Sequence, residues 1–448
     1  MVLDLFSIIL VAFASILFDT AHATEAMRRP LDFKSKLKPN GAFHSNHTLF
    51  GRGVLLEDRT SQMKSIGYFT NWGVYGRNFQ PSDIPTDRLT HILYAFADVN
   101  PFTGVVTLTD TYADQTKHYP GDSWDDVGNN LYGCFKQLYL LKLKNRSLKV
   151  LISVGGYTYS QSGHFNFLSN TTSRTAFVSS AIGLLEDNGL DGIDLDFEYP
   201  TATQASDFVS LLSELRAGLD AYASWKGDTT PYEISAAVPA GSANYQNLLI
   251  ADMDKILTSW NLMAYDYAGS WSNISDDQAN LYRGNTGQGV DTDATIKYYR
   301  ANGATPSKII MGIPIYGRVF ESTSGIQQSF SGAGLGTWTP GVYDYKALPF
   351  PGAIVVEDPA TGSSYSYDAI KQELVSYDTP AIVKQKAQYI SDQGLGGSMY
   401  WELSADKNGT DSVIATATGV FVGLDTTPNH LFYPGSQFAN IINCMGTC

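Results

Sequence analysis

Short runs rich in β-branched and aromatic residues recur from residue 65 onward and alternate with stretches whose apolar positions fall at helical spacing. The runs SIGYFT, THILYAFADV, LKVLISVGG, GLDGIDLDFEYP, YEISAAVPA, SWNLMAYDY, SKIIMGIPIYG and LGGSMYW predict eight strands. The stretches TSRTAFVSSAIGLLEDNG, ASDFVSLLSELRAGLDAYA, DATIKYYRANG and PAIVKQKAQYISDQG predict helices, the first closed by Gly189. Eight strands alternating with helices is the count of an α/β (β/α)8 TIM barrel, whose working face lies at the C-terminal ends of its strands.

Residues 63–320 and 380–422 supply the barrel, while the segment 321–379 between the seventh and eighth strands is longer than one connection requires. It is rich in Gly, Ser and Tyr and carries the strand-like pieces GAIVVED and SSYSYD, which predicts a small α+β insertion walling one side of a cleft. Residues 24–62 are polar and weakly periodic and read as an extension or pro-segment, and 423–448 form a tail with no strong periodicity. The apolar run Leu5–Phe18, followed by Ala21-His22-Ala23, predicts a secretory leader over 1–23, although Asp4 and the lack of Lys or Arg before it are atypical. The expectation is a secreted, extracellular protein with no membrane association once the leader is removed.

One run departs from the ordinary pattern. In LDGIDLDFEYP, Asp194, Asp196 and Glu198 alternate with Ile193, Leu195 and Phe197, so a strand presents three carboxylates on one face and an apolar row on the other. Neighbouring acids on that face stand roughly 6.5 Å apart, close enough that burial forces some of them to be protonated or held by donors. A solvated edge strand would also tolerate such alternation, but a parallel strand covered by helices has no solvated face. Glu198 falls at the barrel mouth, with Asp194 and Asp196 deeper.

Composition narrows the chemistry. The 448 residues are 43% hydrophobic and 17% charged, with a net charge of −14, which argues against nucleic acid or an anionic membrane as partner. The 27 Tyr, 22 Phe and 7 Trp suit stacking on sugar faces and suit core packing equally well. N-x-[ST] sequons at Asn46, Asn145, Asn170, Asn273 and Asn408 are compatible with secretion. Three cysteines give no disulfide framework, leaving Cys134 free if Cys444 pairs with Cys448. No Cys/His cluster has metal-ligand spacing, so neither metal nor other cofactor is expected.

Glycoside hydrolysis requires a protonated acid beside the leaving oxygen and a nucleophile at the anomeric carbon. Glu198, its pKa raised by Asp196, fits the acid, and the two aspartates can share or move a proton. Other strand ends offer partners. Ser153 is placed to bond the lower carboxylates, and Gly155 and Gly156 allow close backbone approach before Tyr157. Met263 and Tyr265 alternate into the barrel, although Met263 alone reads as core. Trp401 suits a sugar floor or a core cap, and Arg318 suits a substrate carbonyl or an acid partner.

The stretches GYFTNWGVYGRNFQPSDIP, THILYAFADV, SVGG, DGIDLDFEYP, WNLMAYDYAGSW, MGIPIYGR and GGSMYWELSADK, spanning about 65–406, resemble glycoside hydrolase family 18 chitinases, most of all the secreted fungal enzymes. The D-x-x-D-x-D-x-E signature is Asp191, Asp194, Asp196 and Glu198. The resemblance implies a monomer acting on chitin and N-acetylglucosamine oligosaccharides by a retaining, substrate-assisted route in which the sugar's own N-acetyl carbonyl is the nucleophile. It implies Glu198 as general acid and then base, Asp196 as the group that orients the N-acetyl while swapping between Asp194 and Glu198, and Tyr265 as donor to the acetamido oxygen. Tyr68, Met263 and Trp401 would surround the reacting sugar, Asp266, Arg318 and Tyr199 would bind substrate, and Trp72 and Trp271 would line adjoining subsites. Where many relatives carry Trp, this chain has Tyr157 and Phe197; Phe197 should face the helices, and Tyr157 should reshape one glycone-side subsite. The alternative implied by the same barrel is a weak or silent chitin-binding lectin, against which the presence of Glu198 with both inner aspartates counts.

Overall fold

The computed structural model of the protein describes residues 62–284 and 289–448; the expected leader, and all of the extension but Gln62, lie outside them. The strands are β1 (Lys64–Thr70), β2 (His91–Val99), β3 (Val106–Leu108), β4 (Lys149–Gly155), β5 (Gly192–Asp196), β6 (Glu233–Pro239), β7 (Ser259–Met263), β8 (Ile309–Pro314), β9 (Tyr316–Phe320), β10 (Val342–Asp344), β11 (Ile354–Asp358), β12 (Ser363–Asp368), β13 (Glu373–Ser376) and β14 (Gly397–Trp401). Eight of them pair in parallel in the order β1-β2-β4-β5-β6-β7-β8-β14, and β14 pairs with β1 to close the barrel. All eight strands expected from the hydrophobic runs are these.

The residues between the strands and the surrounding helices form the main core, including Ile193, Leu195 and Phe197 from β5 and the turn after it. Phe197 stacks on Phe165 at 4.2 Å, facing the helices as its alternation requires. The helices Thr171–Asn188, Ala205–Lys226, Thr292–Ala301 and Pro380–Asp392 match the four periodic stretches, and Gly189 closes the first in the left-handed region at φ 69°. A second, smaller cluster fills the barrel itself, with Ile66, Leu93, Leu151, Ile310 and Met399 beneath Tyr68, Met263, Tyr265 and Trp401.

Between β8 and β14 the chain forms a five-stranded antiparallel sheet in the order β10-β9-β13-β12-β11. Among the described residues its helical content is one 3₁₀ turn, Tyr345–Ala347. The sheet begins at Tyr316, ahead of Glu321, because GIPIYGR is not one strand: β8 ends at Pro314 and the chain leaves the barrel at Ile315. Arg318 therefore belongs to the wall above the barrel. No helix among the described residues is long and apolar enough to cross a membrane.

The tail packs under the barrel. Asn429 donates to the carbonyls of Lys142, Asn145 and Leu148, and the Tyr433 hydroxyl donates to Leu190. Asp191, the first acid of the signature, takes part in this floor: its carboxylate accepts from the Val150 amide at 2.7 Å and the His430 amide at 2.8 Å and pairs with buried Lys142 at 2.8 Å. Cys444 and Cys448 form a disulfide, and Cys134 is buried and free.

Candidate active site

The barrel register builds the deepest part of the site. Ser153, Asp194 and Ser235 stand opposite one another on β4, β5 and β6, so both hydroxyls reach the Asp194 carboxylate. Asp194 is fully buried and accepts four hydrogen bonds: Ser153 at 2.7 Å and Tyr68 at 3.2 Å on Oδ2, Ser235 at 2.6 Å and Asn261 at 3.0 Å on Oδ1. Burial raises its pKa and these donors oppose the rise. With both oxygens saturated, Asp194 is a fixed point below the reacting groups.

Asp196 has the opposite environment. It is 4% exposed, and its Oδ1 meets no hydrogen-bond partner among the described residues. Burial first, then the charges of Glu198 and Asp194, hold its pKa well above the usual carboxylate range. A buried carboxyl oxygen without a donor is costly unless a ligand supplies one. Glu198 follows at the mouth, its pKa raised to about 7 by burial, with Tyr199 pulling it down and Asp266 pushing it up. It is therefore a carboxylic acid still able to give up a proton near neutrality.

The glycines after β4 make room for this arrangement. Both adopt positive φ, and a Cβ on Gly155 would lie 2.3 Å from the Asp196 carbonyl, one on Gly156 2.8 Å from the Phe96 ring. The short helix Tyr157–Gln161 that follows holds the Glu198 turn by its backbone. Ser160 Oγ accepts from the Glu198 amide at 3.0 Å, and Gln161 donates to the Glu198 carbonyl at 2.6 Å.

Tyr265 is half-buried, and among the described residues its hydroxyl reaches only the Met399 sulfur at 3.5 Å, a weak acceptor. Burial and the charges of Asp196, Asp266 and Glu198 keep its phenol protonated, so it remains a donor. Asp266 sits at φ 63° and receives Tyr316 at 2.6 Å and the Nε and Nη2 of Arg318 at 2.8 and 2.7 Å. Arg318 lies 4.8 Å from the centroid of the Trp271 ring, so this cluster ties the insertion sheet to the turn after β7. Trp401 lies edge-on to Tyr68 at 5.2 Å and parallel to Phe96 at 5.8 Å, with Trp72 beyond Phe96 at 6.1 Å. Met263 packs in the same group.

Most residues expected from the sequence thus converge on one cleft. Tyr157 stands apart, 63% exposed and outside the ring cluster. Ser235 and Asn261 escaped sequence reasoning, although each stands at an inward position of its strand, the parity that Ser153 shares; the inward polar residues of neighbouring strands were the available signal. Phe96 gave none, since its ring role depends on the fold at the end of β2. Arg77, Trp338, Asp344 and Glu402 line a small pocket beside Trp401: Arg77 pairs with Glu402 at 3.0 Å and Asp344 at 3.5 Å and lies over Trp338 at 5.3 Å.

One group of possible metal-ligating atoms occurs among the described residues, His91 and Glu233 at the starts of β2 and β6 with Asp425 of the tail, at the opposite end of the barrel. Lys64 pairs with Glu233 at 2.8 Å and Lys149 with Asp425 at 3.2 Å, so its negative charge is already matched.

The chain matches the family model described as Glycosyl hydrolases family 18 over residues 64–406. It is 47% identical over 393 residues to Chitinase 1 of Aphanocladium album, covering 86% of this chain and 92% of that one. It is 49% identical over 381 residues to Endochitinase 1 of Metarhizium robertsii, covering 84% and 89%. Among solved structures, the catalytic domain of the psychrophilic chitinase B from Arthrobacter TAD20 superposes with a TM-score of 0.72 at 31% identity, over 83% of this chain and 98% of that one.

Proposed function

The chain belongs to glycosyl hydrolases family 18, and from that premise we propose that it is a secreted chitinase cleaving β-1,4 bonds between N-acetylglucosamine units by a retaining, substrate-assisted mechanism. The observation that carries this reading is the contrast within one strand: Asp194 saturated by four donors, Asp196 with an oxygen lacking any, and Glu198 poised near neutrality. An acetamido N–H is the kind of donor that the free Asp196 oxygen lacks. No second carboxylate has to attack the sugar, because the acetamido oxygen does so.

In the first step Glu198 gives its proton to the glycosidic oxygen as that bond breaks, and the acetamido oxygen bonds to the anomeric carbon from the other face. Asp196 holds the acetamido N–H, and Tyr265 exchanges its weak sulfur partner for the acetamido oxygen. The positive charge of the oxazolinium intermediate forms beside Asp196 and is favoured by the negative charges of Asp196 and Asp194. Glu198, now a carboxylate, takes a proton from water as the water attacks the anomeric carbon, and the configuration is retained. Trp401 floors the reacting sugar, while Tyr199, Asp266, Arg318, Trp72 and Trp271 contact flanking units.

The test is hydrolysis of N-acetylglucosamine hexamer by the wild type beside Glu198→Gln, with products resolved by length and anomer in the first minutes. Cleavage by wild type alone, releasing β-anomers, is expected, and EDTA should leave the rate unchanged. Initial α-anomers would refute the mechanism. Binding without cleavage by either protein would favour the lectin reading.

A further inference from the structure

Four N-x-[ST] sequons fall among the described residues, and the fold sorts them. Asn145 follows the helix Gly133–Lys144 and precedes β4, on the side where the barrel strands begin. Its amide nitrogen donates to the Thr86 carbonyl at 2.9 Å, and its amide oxygen accepts from the Ser147 amide at 3.1 Å. Its backbone carbonyl receives Asn429 of the tail at 3.1 Å. Both ends of this half-buried side chain are in use, and the tail closes over its backbone.

The other three stand in connections that leave the C-terminal ends of barrel strands: Asn170 after β4, Asn273 after β7 and Asn408 after β14. All three are exposed. Asn170 caps the helix Thr171–Asn188 with its oxygen alone, which accepts from the Thr172 and Ser173 amides at 2.9 and 3.2 Å. Its nitrogen has no partner among the described residues, and the side chains of Asn273 and Asn408 have none there either. Asn273 rides a crest fixed at both ends. Before it, the Ser272 amide donates to the Gly269 carbonyl at 2.9 Å; after it, the Ser275 amide donates to the Gln328 carbonyl at 2.8 Å. Ser275, the hydroxyl residue of that sequon, is buried and donates to the Gly325 carbonyl at 2.6 Å.

We propose that Asn170, Asn273 and Asn408 carry N-linked glycans and that Asn145 does not, so that the sugars stand on the mouth face of the barrel and its underside stays bare. The co-reactant is an oligosaccharide linked to a lipid diphosphate, met in the secretory lumen. The Asn nitrogen bonds to the anomeric carbon of its first N-acetylglucosamine and gives up a proton to a base of the transferring enzyme. The bond from that carbon to the diphosphate oxygen breaks, and the lipid diphosphate leaves with the electron pair. Transfer to a chain still entering the lumen explains how Ser275 can serve a sequon and then be buried. At the three exposed sites the bulky product projects into solvent and displaces no bond. At Asn145 it competes with Thr86 and with the tail, and a chain so modified does not close its underside. This inference rests on the reading of the chain as secreted.

The experiment produces the full chain in a eukaryotic secretory host, once with residues 1–23 and once with the host's own leader in their place. Protein from the medium is treated with peptide N-glycosidase in heavy-oxygen water, which converts each glycosylated Asn to labelled Asp, and its peptides are weighed. Label is expected at Asn170, Asn273 and Asn408, with Asn145 recovered unlabelled. Asn273→Gln, Asn408→Gln and Thr172→Ala, which spares the Asn170 cap, should each lose one glycan and melt at the wild-type temperature once the other glycans are removed. An unlabelled Asn273 or a labelled Asn145 in the secreted protein would overturn the assignment, as would a variant that keeps its glycan. Secretion behind the host's leader alone would overturn the leader reading, while the occupancy of each site is still read from that protein.

Discussion

Removing the charge of Asp266 should move the alkaline limb of the pH–rate profile to lower pH. In the proposed mechanism Glu198 must be protonated to act, and its pKa of about 7 would set that limb in the free enzyme. With one proton involved, kcat/KM should fall about tenfold for each unit above that value. The Asp266 carboxylate disfavours a second negative charge on Glu198, so Asp266→Asn lowers the Glu198 pKa, and the released Arg318 guanidinium acts in the same direction. Unit charges roughly 6 Å apart at an effective dielectric near 20 interact by about 3 kcal/mol, and halving this for solvent at the cleft leaves about one pH unit. The assay is kcat/KM for a soluble oligosaccharide from pH 5 to 9 in both proteins. Loss of substrate contacts will lower the whole curve, so the position of the limb is the readout. A limb that stays in place or moves upward in the variant would refute the electrostatic argument, and a wild-type limb near the ordinary glutamate value would refute the role of burial.

The same group links to stability. Its folded pKa lies above the ordinary value of 4.5, so its contribution is fully present below that value and lost as pH rises through about 7. Glu198→Gln should therefore unfold at higher urea than wild type at pH 8, by up to about 3 kcal/mol, and match it near pH 4; an equal difference at both would count against the linkage. Asp191→Asn leaves Lys142 buried without its anion and should cost about 3–5 kcal/mol in urea unfolding while the folded fraction keeps its kcat. A lowered kcat with unchanged stability would instead place Asp191 in the chemistry. Trp401→Ala removes the ring proposed to floor the reacting sugar, which packs on Tyr68 and Phe96, and should raise KM about tenfold with little change in Tm. An unchanged KM would remove Trp401 from the substrate path.

The barrel was legible because each strand is a compact apolar run bounded by Gly, Pro or polar turns, and the interior parity of Asp194, Asp196 and Glu198 followed from alternation alone. The start of the insertion was hidden because β8 and β9 are separated by Ile315 alone, an apolar residue like its neighbours, so direction changed without any change of pattern. The four donors to Asp194 come from four strands separated by up to 193 positions in sequence, between Tyr68 and Asn261, and only closure of the ring brings them together. The Asp191 contacts were invisible for the same reason: His430 lies 239 positions further along, in a tail without periodicity.

That tail changes what a minimal catalytic unit means. The family match ends at residue 406, and a shortened protein stopped soon after it would still hold every residue of the cleft. It would also lose Tyr433, which contacts both Lys142 and Lys226, and the His430 amide that Asp191 receives. Two lysines and an aspartate arranged for a dry interior would then face solvent directly beneath β5. Cargo or tags fused beyond Cys448 leave this layer whole, whereas trimming to residue 406 removes the underside on which the acidic strand rests.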